Sequence, residues 1–247
     1  MKIIAALRMI FICCFIVAYL IFIGIPVLTY CRLVSNPALA LYLTKALDRI
    51  VLYLAGITIE VAGKENVPAS GCVYVGNHRS LVDSAAVFAG LPGDLRFLGK
   101  KEIFRIPLVS YALRTMGMIE VDRSDPEASV ASIDRAVSEL RSGKSIVLFP
   151  EGTRSRQDQM LPFKKGAFVL AIKAAAPVVP FTLLGADERL KPDTIYLYPG
   201  RVKILIHDPI ATDQLTLEDR HILLEKVRTV VENSWLSFRS RDRSYHA

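Results

Sequence analysis

From Met9 to Cys31 the chain runs 23 residues without a charge, closed by Arg8 on one side and Arg32 on the other. As a helix rising 1.5 Å per residue this run reaches ~35 Å, enough to cross a hydrocarbon core of ~30 Å. A cleaved leader also begins basic and apolar, and Ala38-Leu39-Ala40 imitates its cleavage site. The apolar stretch of a leader spans only ~7–15 residues, however, so the length favours a retained membrane anchor. Pro26 removes one helical hydrogen bond, and a second apolar stretch, Leu39–Leu54, follows Asn36-Pro37. The expectation is therefore either one span or two helices that dip into one leaflet and return. Lys2 and Arg8 before the run are balanced by Arg32, Lys45 and Arg49 after it, so flanking charge does not set the orientation.

After Gly56 the pattern changes. Ile57–Val61, Cys72–Gly76, Leu95–Leu98, Met118–Val121, Ser145–Phe149, Val178–Leu183 and Val202–His207 read as strands. Several are continuous apolar runs, as in a sheet covered on both faces. Between them, Asp125-Pro126-Glu127 supplies a helix cap, a first-turn proline and an acid at the positive helix end. Val130, Ile133, Val137 and Leu140 follow at helical spacing, and Gly143 stops the helix. A last helix is expected over Leu217–Phe238, with Ile222, Leu223, Val227, Val230 and Val231 inward. Strands alternating with helices predict an α/β fold: a mixed, largely parallel sheet flanked by helices. The chain divides into a membrane-anchoring helical segment, residues 1–55, and an α/β domain, residues 56–247.

The net charge of +7 suits work against anionic lipid headgroups. The other reading of a basic chain, nucleic-acid binding, finds no helix-turn-helix or RNA-binding signature to support it. Cys13, Cys14, Cys31 and Cys72 form no paired spacing, so neither a disulfide framework nor a zinc site is expected. No Gly-x-Ser-x-Gly elbow and no His-Glu-x-x-His motif occurs, which leaves serine-nucleophile and zinc-hydrolase chemistry unsupported.

Four polar clusters each follow an apolar run. The first is Gly76-Asn77-His78-Arg79-Ser80-Leu81-Val82-Asp83. On one continuous helix His78 and Asp83 would lie ~140° apart, but a strand-to-helix turn lets Asp83 fold back onto the imidazole. A carboxylate on one ring nitrogen fixes the tautomer and leaves the other nitrogen as a base. Taken alone, the pair reads better as a polar turn residue and a first-turn helix acid. His207-Asp208 is a second adjacent pair, and there the structural reading is preferred.

The second cluster is Phe149-Pro150-Glu151-Gly152-Thr153-Arg154-Ser155, in which a glycine permits close approach and a guanidinium fork suits phosphate. Lys100-Lys101-Glu102 and Asp122-Arg123 are the third and fourth. In open α/β sheets, ligands gather beyond the carboxyl ends of the strands. One base and several cations there describe a pocket for a phosphorylated substrate that must lose a proton.

The order His-x4-Asp, Asp-Arg, Phe-Pro-Glu-Gly-Thr-Arg-Ser and Pro177-Val178-Val179-Pro180 resembles the four-block signature of the glycerolipid acyltransferases, most of all the 1-acyl-glycerol-3-phosphate acyltransferases. Lys100–Pro107 and Leu161–Phe168 follow the same pattern, and the resemblance covers roughly Gly56 to His207. It implies that residues 56–247 are an acyltransferase domain with His78 as general base and Asp83 as its partner. It further implies Arg154, with Lys100 and Arg123, on the acceptor phosphate, while Glu151, Gly152 and Thr153 shape that site.

The reaction implied is transfer of a fatty acyl group from acyl-coenzyme A or acyl carrier protein to the sn-2 hydroxyl of 1-acyl-glycerol-3-phosphate, giving phosphatidic acid. No cofactor or metal is implied. The partners are membrane lipids and a lysophospholipid acceptor, with no nucleic acid, and the place is a membrane, on the cytoplasmic face if the source is bacterial. Two alternatives remain: another lyso-lipid acceptor, such as a lyso-ornithine lipid, or a lipid-binding membrane protein without turnover. The chain departs from the family pattern at Glu120, inside an otherwise apolar strand, and at His207-Asp208-Pro209.

Overall fold

The structure, a computed structural model, describes residues 2–122, 124–156 and 159–245. The N-terminal run is helical: α1 (Lys2–Tyr19) continues through one π-helical turn, Leu20–Gly24, into α2 (Ile25–Leu33). Pro26 does not break this helix. It falls in the first turn of α2, directly after the π turn, in which the Ile25 N–H reaches back to the Leu20 carbonyl. Widening the turn at this point absorbs the missing donor and the ring's bulk. The chain reverses only after Leu33, where Ser35 takes a positive φ of 52°, and α3 (Ala38–Leu54) runs back.

Together Lys2–Leu33 make a 32-residue helix whose most apolar 18-residue stretch has a mean hydropathy of 2.8, long and apolar enough to cross a membrane. One side is docked on the rest of the chain. Arg8 donates to the Leu197 carbonyl, Tyr19 donates to the Leu43 carbonyl of α3, and Arg32 lies over the Tyr111 ring. The opposite side leaves Ile3, Leu7, Phe11, Phe22 and Leu33 exposed.

Beyond α3 come β1 (Ile57–Ala62), β2 (Val73–Gly76), α4 (Val82–Gly90), β3 (Leu95–Lys100), α5 (Pro107–Thr115), β4 (Ile119–Val121), α6 (Pro126–Arg141), β5 (Ser145–Leu148), α7 (Gly166–Ala174), β6 (Val178–Leu184), α8 (Ala186–Arg189), β7 (Gly200–Ile206) and α9 (Arg220–Tyr245). The strands form one sheet of order β1-β7-β6-β2-β5-β3-β4. Every neighbouring pair is parallel except β6 with β7. Each of the seven predicted strands is present within two residues of its expected ends.

Alternation along the strands feeds two apolar layers. Tyr74, Val147, Val179 and Phe181 face α3 and α4, in a cluster that also takes in Ile12, Leu28 and Leu52 of the N-terminal helices. Val73, Val75, Ile146 and Val178 face the other way, toward α6, α7 and α9. Asp125 caps α6 by accepting from the Glu127 and Ala128 backbone N–H groups, and Gly143 beyond its end has φ 86°.

Two helical faces match the expected ones except at one residue each, Val130 and Ile222. In α6, Val130 is exposed and the buried line runs through Ser132, Ala136, Val137 and Leu140. Small residues let this helix approach the sheet, where Ser132 donates to the Glu120 carbonyl. In α9, Ile222 is 71% exposed while Leu223, Leu224, Val227, Val231 and Trp235 are buried.

Candidate active site

β2 is buried along its whole length and delivers His78 just past its carboxyl end. Gly76 makes this possible, since a Cβ there would come within 2.4 Å of the Phe181 ring on the neighbouring strand. Asn77 then clamps the turn to β6, donating to the Leu183 carbonyl and accepting from its N–H. The chain folds back into α4, whose first turn carries Asp83. His78 Nδ1 and Asp83 Oδ2 are 2.9 Å apart. The same oxygen accepts from the backbone N–H of Arg79 at 2.6 Å and of Ser80 at 2.7 Å. Asp83 is 1% exposed, so these donors compensate a carboxylate taken out of water. The bond to Nδ1 puts the imidazole's second nitrogen, Nε2, at the substrate's disposal.

The loop after β5 is sewn to this turn. Phe149 stacks on the His78 ring, with centroids 4.3 Å apart and planes 13° from parallel. Glu151 is buried and points inward: Oε1 accepts from the His78 N–H and Oε2 from the Leu161 N–H, each at 2.8 Å. Burial raises its carboxyl above the usual carboxylate range, against the pull of those donors. The Ser155 N–H closes the seam by donating to the His78 carbonyl. Glu151 therefore shapes the site by holding His78, from a position outside the cavity wall. Gly152 turns the loop with φ 75° and donates to the Phe149 carbonyl.

A cavity of about 550 Å³ opens beside this pair. His78, Lys100, Gly152, Thr153 and Arg154 stand at its mouth, at the carboxyl ends of β2, β3 and β5. Its walls are apolar, with Ala85 and Phe88 from α4, Phe97 from β3, Leu113 from α5, and Met118 and Val147. Arg154 is 29% exposed, with Asp193 Oδ1 at 4.0 Å, the outer limit of an ion pair. Asp193 is taken more closely by Arg156, at 2.8 Å.

The sequence-predicted residues are thus brought together in part. His78, Asp83, Lys100, Gly152, Thr153 and Arg154 share one cavity or its immediate support. Lys101 is drawn aside by Asp122, whose carboxyl it holds well below the usual range. Arg123 lies outside the described residues. His207 hydrogen-bonds Thr182 across β6 and β7, a strand-to-strand contact apart from the cavity.

Sequence reasoning missed Asn77, the stacking role of Phe149 and the part played by Arg79. Arg79 is buried, donates to Asp187 and lies over the Trp235 ring, which ties the histidine turn to α8 and α9. Its place directly after His78 was the available signal, and only the packing of α9 shows which way it points.

The Acyltransferase family model matches residues 58–184. The chloroplastic 1-acyl-sn-glycerol-3-phosphate acyltransferase BAT2 of Brassica napus is 37% identical over 177 residues, 69% of this chain and 51% of that protein. The 1-acyl-sn-glycerol-3-phosphate acyltransferase of Borreliella burgdorferi is 32% identical over 191 residues, 77% and 76% of the two chains. This chain spans about half the length of the chloroplast relatives it matches. The crystal structure of the 1-acyl-sn-glycerophosphate (LPA) acyltransferase PlsC from Thermotoga maritima superposes with a TM-score of 0.78 at 26% identity, covering 94% of each chain.

Proposed function

This chain belongs to the acyltransferase family, and from that premise we propose that it transfers a fatty acyl group from an acyl thioester to the sn-2 hydroxyl of 1-acyl-glycerol-3-phosphate, yielding phosphatidic acid. The observation that carries the reading is the His78–Asp83 pair, set where an apolar cavity opens between Lys100 and Arg154. An apolar cavity takes a hydrocarbon chain, and cations at its rim take a phosphate.

In this reading His78 Nε2 removes the proton from the acceptor hydroxyl as its oxygen attacks the thioester carbonyl carbon. The resulting imidazolium is stabilised by Asp83 through Nδ1–H. When the tetrahedral intermediate collapses, the C–S bond breaks and the thiolate takes the proton back from Nε2. Ester and free thiol leave, and no covalent acyl-enzyme forms. The donor is acyl-coenzyme A or acyl carrier protein, since both present the same thioester to this chemistry.

Contacts near both ends of Lys2–Leu33, through Arg8 and Arg32, support a helix lying against the domain with its outer face in one leaflet. The charge of +7 favours the anionic cytoplasmic leaflet. The experiment is mass spectrometry of products made by purified enzyme from an acyl thioester and a panel of lyso-lipids. Phosphatidic acid should be the main product. Preferential acylation of lysophosphatidylcholine would overturn the acceptor assignment.

A further inference from the structure

The deep end of the cavity holds a carboxyl for which the acyl-transfer step has no use. Lys45 donates to the carbonyls of Leu91 and Gly93, and Arg49 to that of Ala89, all at the C-terminal end of α4. These bonds fix the stretch of α3 that carries Thr44 and Asp48, both of which line the cavity beside Phe88. Met116 enters from the end of α5, its sulfur 3.2 Å from Thr44 Oγ1. Asp48 borders the cavity, yet among the described residues no hydrogen-bond donor or cation reaches its carboxyl. Burial pushes that carboxyl up to about 7, as expected of an acid left without donors. The Thr44 hydroxyl hydrogen is already given to the Ala40 carbonyl at 2.8 Å. The floor therefore offers the Asp48 carboxyl, without a protein partner among the described residues, surrounded by Phe88, Phe97, Leu113 and Met118.

Resting on the reading of this cavity as the acyl site, we infer that its floor recognises a hydroxyl carried on the distal part of the acyl chain, with Asp48 as its hydrogen-bond partner. A hydroxyl there hydrogen-bonds the Asp48 carboxyl. A plain hydrocarbon chain of equal length covers the carboxyl and returns no hydrogen bond. One hydrogen bond made or left unmade at this half-buried carboxyl corresponds to a preference of ~10-fold in kcat/KM for the hydroxylated chain. Asp48 thereby acts as a specificity determinant, remote from the reacting atoms.

The test compares acyl thioesters of equal length, with and without a hydroxyl near the distal end, in the wild type, Asp48→Asn and Asp48→Leu. Thermal melting confirms that each variant folds. The wild type should prefer the hydroxylated chain, Asp48→Asn should keep part of the preference through its amide oxygen, and Asp48→Leu should abolish or reverse it. Ala85→Trp, or Ser84→Trp should the first not fold, obstructs the cavity midway and should shorten the chains accepted. If neither obstruction changes the chain-length profile, the acyl reading of the cavity is wrong. If an obstruction changes the profile while the wild type uses both chains alike, or Asp48→Leu keeps the preference, the inference about Asp48 alone is overturned.

Discussion

Asp83 carries three hydrogen bonds on one oxygen, Oδ2, while its Oδ1 is buried with no partner among the described residues. An asparagine fits the same space, but its amide nitrogen would fall where Oδ1 now sits, with nothing to accept from it. The charge facing the imidazolium would also be gone. Asp83→Asn should therefore lower turnover by up to the ~10²–10⁴-fold worth of general-base catalysis, with a smaller effect on KM, and steady-state kinetics read the split. Equal loss in kcat and affinity would instead mark Asp83 as a folding residue. At the rim, Arg154 offers a planar fork that a phosphate monoester of nearly two charges fills better than a substituted phosphodiester. Arg154→Ala should raise KM for lysophosphatidic acid far more than for lysophosphatidylcholine, and Arg154→Lys should recover only part of the loss. Equal effects on both lipids would make Arg154 structural.

At the scale of elements, the 32-residue Lys2–Leu33 helix presents one apolar face outward and docks the other on α3, α5 and the segment around Leu197. Binding through such a face rests on buried apolar area, which salt does not screen. The full-length protein should stay on membranes in high salt. Removing residues 1–35 should release it only in part, because Tyr42, Ile50 and Tyr53 of α3 remain exposed and apolar. Clean extraction of the intact chain by salt alone would refute the anchor. The strands were legible because a doubly covered sheet demands uninterrupted apolar runs such as Val178–Leu184, and a run of that kind has few other homes. Helix faces were less legible. Large side chains dominate a reading by periodicity, whereas α6 meets the sheet through Ser132 and Ala136, whose value lies in being small.

Across the whole molecule, the sheet order and the single antiparallel pairing of β6 with β7 follow from long-range packing that no local pattern carries. The site was legible where chemistry sits in short motifs, as at His78, Asp83 and Arg154. It was illegible where the partner is remote in sequence, as for Glu151 under the His78 backbone, Asn77 on β6 and Arg79 beneath Trp235. The cavity's lining comes from α3, α4, α5, β3 and β5 together, so it exists only once the sheet has assembled. His78, placed by all these contacts, is the proposed base that activates the acceptor hydroxyl. The most direct measurement is the rate of phosphatidic acid formation from lysophosphatidic acid and an acyl thioester, in wild type and His78→Ala, with folding checked by circular dichroism. The rate should fall ~10²–10⁴-fold with the fold retained, whereas a folded His78→Ala enzyme turning over at the wild-type rate would mean that another group is the base.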